Sequence, residues 1–258
     1  MIENLLVIGS SSYIATKVVP LLEFEPSHIY AMDRNIDIDG NSSCIEHKNR
    51  FLADANNQEQ FIIAFEKVLK RIGKNKLMVL NFIGDLGDLS FENKNYESIF
   101  KTIEGNLRPN LFLANLTAKL EPGSLILSFS GAGIGGEVLD DSSLGYLSAK
   151  ASLAVLIEVF DNKSSLMGVR FGLVAPGAYP SRMQKAVATS NATHISLLRK
   201  SSAERVLNQA SSPKRLVDLL EFLRMHPELA GGRIWSAVHD HLVTDLSRPD
   251  FGKLRRIF

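Results

Sequence analysis

The chain has 258 residues, 45% of them apolar and 22% charged, ordinary values for a globular protein with a substantial buried core. A formal net charge of +1 gives no global field for nucleic acid or an anionic membrane surface, and one cysteine, Cys44, excludes an internal disulfide and fits a reducing cytoplasm. The chain enters an apolar strand directly after Met1-Ile2-Glu3-Asn4, without the basic region and cleavage site of a signal peptide. No run of about 18 apolar residues offers a membrane span.

Leu5–Ile8 reads as a buried strand, followed by a Gly9-Ser10-Ser11-Ser12 turn and an amphipathic stretch through Leu22. His28–Met32 is a second strand ending at Asp33, Arg50–Ala53 a weaker third, and Glu59–Ile72 repeats apolar residues at helical spacing. Leu77–Phe82 is the fourth strand, and a long helix over Asn95–Leu120 contains Arg108-Pro109. Ser124–Phe129 is the fifth strand, residues 144–161 form another helix, and Met167–Val174 is the sixth strand. Beyond residue 181 the pattern loosens into Ser, Thr, Asn and Lys, so 181–211 reads as a mobile substrate lid. A helix over Pro213–Met225 and a last strand near Arg233–Val238 follow. No internal repeat or linker divides the chain, and residues 1–258 read as one domain.

Continuous apolar strands separated by helices predict an α/β fold, a doubly wound parallel sheet of about seven strands covered on both faces. Its ligand crevice lies at the carboxyl ends of the strands. Gly9, Asp33, Asp54, Asn81, Ser130 and Pro176 all fall just beyond predicted strand ends. The turn after the first strand aims backbone N–H groups at an anion such as a pyrophosphate, with Ser10, Ser11 and Ser12 as further donors ahead of Ile14. Tyr13 stands where a glycine permits close backbone approach, and its side chain is expected at the mouth of the site; Ala15 replaces a glycine that packs helix on sheet. Asp33 is placed to accept the hydroxyls of an adenine ribose, which favours NAD over NADP, while the adjacent Arg34 can pair with a 2′-phosphate.

Tyr146 and Lys150 lie one helical turn apart and share a face. A phenol titrates near ~10, and a cation beside it favours the phenolate, which suits acid–base chemistry on an alcohol or carbonyl. His239-Asp240-His241 lacks the partner residues of a zinc site, and no metal is expected. Asp140-Asp141 reads as a solvated turn, Trp235 as a packing residue, and Lys253, Arg255 and Arg256 as a solvated tail.

Together these residues resemble the short-chain dehydrogenase/reductase family in its compact single-domain branch, over about residues 4–240. The Tyr-x-x-x-Lys is Tyr146 to Lys150, the preceding strand-end serine is Ser130, and the active-site asparagine matches Asn106. Asn81-Phe82-Ile83-Gly84 keeps two positions of the family's Asn-Asn-Ala-Gly, Asp54 matches the aspartate that holds adenine, and Pro176-Gly177 matches the element after strand six. Ser181 falls where relatives use threonine on the nicotinamide carboxamide. The resemblance implies an oxidoreductase in which Tyr146 exchanges a proton with the substrate oxygen and Ser130 holds that oxygen. It implies that Lys150 contacts the nicotinamide ribose and that Asn106 holds a relay water. It also implies a homodimer or homotetramer paired through the two long helices.

The segments 175–183 and 232–240 are similar to relatives encoded among bacterial surface-polysaccharide genes, which implies a sugar or nucleotide-sugar substrate. Gly131 after Ser130, and the lack of a longer carboxyl-terminal sugar domain, favour simple oxidoreduction over dehydration or epimerisation. The competing reading is a protein that binds NAD(P) without turnover, as a regulator or scaffold.

Overall fold

The computed structural model describes residues 1–34, 45–87, 96–131, 143–190, 195, 197–238 and 240, with the side chains of 197–199 excepted. The expectations for Cys44, Asp140, Asp141, His239, His241 and the basic tail lie outside these residues. Seven strands form one sheet in the order β3-β2-β1-β4-β5-β6-β7. They are β1 Asn4–Ile8, β2 Ile29–Asp33, β3 Arg50–Leu52, β4 Leu77–Asn81, β5 Leu125–Phe129, β6 Arg170–Ala175 and β7 Ile234–Ser236. Every pairing is parallel, so all the strands deliver their carboxyl ends to one edge. The order reverses between β1 and β4, where a doubly wound sheet opens its crevice.

Strand periodicity sorts the core into two layers. Leu5 and Val7 face a cluster with Ala15 and Val18 of α1 (Tyr13–Val18) and Leu216, Leu220 and Leu223 of α7 (Pro213–Met225). Leu6 and Ile8 face the opposite cluster. That layer takes Phe61, Phe65 and Val68 from α2 (Gln58–Ile72), Leu113 and Leu116 from α3 (Tyr96–Leu116), and Leu153 and Ile157 from α4 (Leu144–Ser164). The helix α2 starts where the Asn57 side chain accepts from Gln60 N at 3.1 Å and ends at Gly73. Among the described residues no helix is long and apolar enough to cross a membrane.

Two arginines, Arg170 half-buried and Arg224 buried, tie helices to the sheet. Arg170 on β6 holds Asp161 of α4 through two bonds of 2.9 and 2.7 Å, and the Asp161 carboxylate also accepts from Phe171 N at 2.9 Å. Arg224 of α7 donates to Glu221 at 2.6 Å and to the Ile2 carbonyl at 3.2 Å, and lies 4.6 Å from the Phe24 ring centroid. The segment expected as a mobile substrate lid contains two helices, α5 (Arg182–Thr189) and α6 (Leu197–Asn208), packed on each other. A short helix, α8 (Pro227–Ala230), leads from α7 to β7.

Candidate active site

The nucleotide end of the crevice is built on the turn after β1. Gly9 has φ +77°, a left-handed conformation that a side chain disfavours, and an added Cβ would sit 3.1 Å from Ile83 Cδ1. Its N–H donates to the Met32 carbonyl at 3.0 Å, tying the turn to the end of β2. Ser12 caps α1, its hydroxyl accepting from Ala15 N at 3.2 Å. Asp33 closes the arrangement. One carboxylate oxygen accepts from the buried Ser10 hydroxyl, the other from Ser11 N at 3.4 Å and Ser11 Oγ at 3.5 Å. Burial raises the Asp33 pKa above the usual carboxylate value, with the serine hydrogen bonds opposing that rise.

Tyr13, expected at the mouth of the site, opens α1. Its ring is half-buried with Ile14 against the α1/α7 apolar cluster, and Lys17 Nζ lies 5.7 Å from its centroid. Tyr179 in the loop after β6 belongs to the same cluster, and burial, with Tyr13 adding to it, pushes its phenol up to about 12. Arg34 is exposed. Asp54 is half-buried and closes a local turn, accepting from Asn56 N at 2.9 Å; its own N–H donates to Gln60 Oε1 at 3.0 Å.

The second half of the crevice brings four residues together. Ser130 follows β5, is buried, and donates its N–H to the Val174 carbonyl at 2.8 Å. The Tyr146 hydroxyl lies directly over the next residue: a Cβ on Gly131 would overlap that oxygen and stand 2.7 Å from the Tyr146 Cζ. Lys150, one turn along α4 and 3% exposed, donates to the Phe129 carbonyl at 2.9 Å, with its Nζ 5.6 Å from the Tyr146 ring centroid. Desolvation lowers the Lys150 pKa to about 8. Gly84 marks the meeting point: a Cβ there would lie 3.8 Å from both Asn106 Oδ1 and Lys150 Nζ, and 3.3 Å from Met183 Cε.

Asn106 uses its whole side chain to hold the backbone after β4. Its Oδ1 accepts from Asp85 N at 3.1 Å, and its Nδ2 donates to the carbonyls of Asp85 and Thr102, each at 2.8 Å. Its own carbonyl accepts from Asn110 Nδ2 at 3.2 Å. Asn81 shapes the same loop: its Oδ1 accepts from Ile83 N at 3.2 Å and its Nδ2 donates to Asn110 Oδ1 at 3.0 Å, where the Ser128 hydroxyl also donates. Pro176 and Gly177 lie on the far wall, where the following Ala178 pairs with Ser211 through bonds of 2.7 and 2.9 Å. Ser181 caps α5, accepting from Gln184 N at 3.4 Å.

Sequence reasoning missed Asn110 and Met183. The signal for Asn110 was available, since it falls one turn after Asn106 on the buried stripe of α3, where an asparagine needs a partner. Met183 carried no such signal. Among the described residues no group of three or more His, Cys, Asp or Glu is placed to hold a metal ion.

The chain shares its fold with solved dehydrogenase structures. A short chain dehydrogenase family protein from Francisella tularensis superposes with a TM-score of 0.68 at 20% identity, covering 92% of this chain and 97% of that one. A NAD+-bound xylitol dehydrogenase gives 0.73 at 16%, covering 91% and 96%. A short chain dehydrogenase from Burkholderia cenocepacia in complex with NADP gives 0.68 at 16%, covering 91% and 95%. No protein-family model and no curated protein matches the sequence.

Proposed function

We propose that this chain is an NAD(P)-dependent oxidoreductase of the short-chain dehydrogenase/reductase type, interconverting an alcohol and a carbonyl compound. The observation that carries the proposal is the Tyr146 hydroxyl seated over Gly131, beside Ser130 and one turn from the buried Lys150. The shared fold supports it, because the doubly wound sheet places these residues at the crevice that also holds Gly9 and Asp33.

The residues present fit a dinucleotide. Gly9 keeps the turn free of a side chain, Asp33 is held by Ser10 and Ser11 to face ribose hydroxyls, and exposed Gly84 adds no side chain before Lys150, where the Met183 methyl approaches. A nicotinamide bound there supplies or accepts the hydride. In the reductive direction Tyr146 gives its proton to the substrate oxygen as negative charge develops, and in oxidation it takes that proton back. Ser130 donates a hydrogen bond to the same oxygen and fixes its position. The Lys150 ammonium stabilises the phenolate left behind. Asn106 is a positioning residue: its hydrogen bonds are spent on Asp85 and Thr102, which favours support of the Gly84 loop over the holding of a relay water.

Exposed Phe100 and Leu111 on α3, with Val155 and Val159 on α4, support self-association through these two helices. The decisive experiment is calorimetric titration with NADH and NADPH, followed by turnover of Tyr146→Phe on a carbonyl panel. Nucleotide binding with a loss of turnover of about 100-fold or more is the expected result. Binding of neither nucleotide, or undiminished turnover in the variant, ends the proposal.

A further inference from the structure

The ring of Tyr146 belongs to a small apolar cluster separate from both layers of the sheet core. Its other buried members are Leu86, Val187, Ile195 and Ala203. Leu147, Met183 and Ala188 are partly buried at its rim. The helices α5 and α6 supply Met183, Val187, Ala188 and Ala203 to this cluster, so the structure covering the phenol is apolar on the side that faces it. On these helices Arg182, Lys185, Glu204 and Arg205 are exposed, while Lys200 of α6 is half-buried. Met183 reaches furthest in, with its methyl 3.3 Å from the Cβ position on Gly84, in front of Lys150 and Asn106.

From this arrangement we infer that the substrate carries an apolar body beside its carbonyl or hydroxyl carbon, an alkyl or alicyclic ketone or secondary alcohol rather than a sugar. The inference rests on the proposed chemistry at Tyr146. A polyol binding against this cluster would surrender the hydration of each hydroxyl, and buried hydroxyls without partners are costly. The buried polar side chains at this point are Ser130, Tyr146 and Lys150, the reacting groups themselves, and Asn106, whose amide is spent on Asp85 and Thr102; Gln184 and Lys200 are half-buried on α5 and α6. An apolar body loses nothing of that kind and gains contact with the partly buried rim, Leu147, Met183 and Ala188. Met183, an unbranched and polarizable side chain, is suited to move aside and repack around it.

The test pairs binding with turnover. Protein saturated with NADH, or with NADPH if that binds more tightly, is titrated calorimetrically with cyclohexanone and with xylose. Turnover is then followed on a series of 2-alkanones from acetone to 2-octanone and on aldoses and ketoses. The expected result is binding of cyclohexanone but not xylose, and kcat/KM rising by about tenfold for a methylene that enters the cluster. Met183→Gln should cut the ratio of alkanone to sugar kcat/KM by about tenfold, and because it is a ratio within one variant, general loss of folded protein does not move it. Turnover of sugars with none of alkanones overturns the apolar substrate and leaves the oxidoreductase standing. Binding of cyclohexanone without turnover of any compound supports the apolar site and sinks the chemistry, whereas xylose binding more tightly than cyclohexanone, or neither binding, overturns the inference.

Discussion

The phenol oxygen of Tyr146 occupies the space that a side chain on Gly131 would need. A Cβ at 131 would also crowd the ring, at 2.7 Å from Cζ and 2.9 Å from Cε1, so the contact is not with the flexible end of a side chain. The smallest substitution therefore displaces the reacting group. Gly131→Ala is expected to lower kcat by about 100-fold, the scale of losing a positioned acid–base group, with nucleotide affinity and circular dichroism unchanged. Unchanged kcat would mean that the phenol works from another position.

Lys150 makes a prediction about stability. Burial holds its pKa at about 8, below the ordinary 10.5. Between those values the unfolded chain binds a proton that the folded chain does not, so the burial penalty is fully present below about pH 8 and is relieved as pH rises toward 10.5. The shift corresponds to roughly 3 kcal/mol. Lys150→Met is expected to be inactive yet more stable than the parent near neutral pH, by less than that figure because the bond to the Phe129 carbonyl is lost. The difference should shrink in denaturant melts run at rising pH. A variant destabilised equally at every pH would contradict this account.

The proposed ribose contact at Asp33 makes a prediction about nucleotide preference. Asp33→Asn keeps an acceptor for the Ser10 hydroxyl and removes the repulsion toward a 2′-phosphate. The ratio of NADPH to NADH dissociation constants should fall by about tenfold, or ~1.4 kcal/mol. An unchanged ratio would assign the preference to other groups, the exposed Arg34 first among them.

The Asp161–Arg170 pair joins α4, which carries Tyr146 and Lys150, to β6. Asp161→Ala leaves a partly buried guanidinium and Phe171 N without their acceptor, and should cost about 3 kcal/mol in chemical denaturation. Asp161→Asn combined with Arg170→Met should recover part of that loss. If the single variant melts like the parent, the pair contributes no net stability.

The sheet was legible because both faces are covered, which makes strands such as Leu77-Met78-Val79-Leu80 continuously apolar. The crevice residues were legible because each falls just past such a run. What escaped was polar burial satisfied across the fold. The helix expected to stop at 161 continues to Ser164 because Asp161, polar on paper, is covered by Arg170. Asn110 looks like a surface asparagine until Asn81 and Ser128 arrive from two strands. The 181–211 segment read as a mobile lid without assigned helices because α5 and α6 are short and rich in Ser, Thr and Lys, and their apolar residues face a small cluster around one tyrosine rather than the main core. Tyr13 was read against a glycine pattern, and only the packing of α1 on α7 shows where its ring goes.

Arg224 and the Ile2 carbonyl are separated by 222 positions in sequence. On the ribosome β1 emerges first, yet the apolar layer over Leu5 and Val7 is finished only once Leu216, Leu220 and Leu223 have been translated. Contacts of such long range carry the closure entropy of nearly the whole intervening chain and slow the search for the native state. A nascent chain stalled before residue 213 therefore holds an interior strand of its sheet with one face covered by α1 but not by α7, leaving apolar surface open to association until α7 arrives.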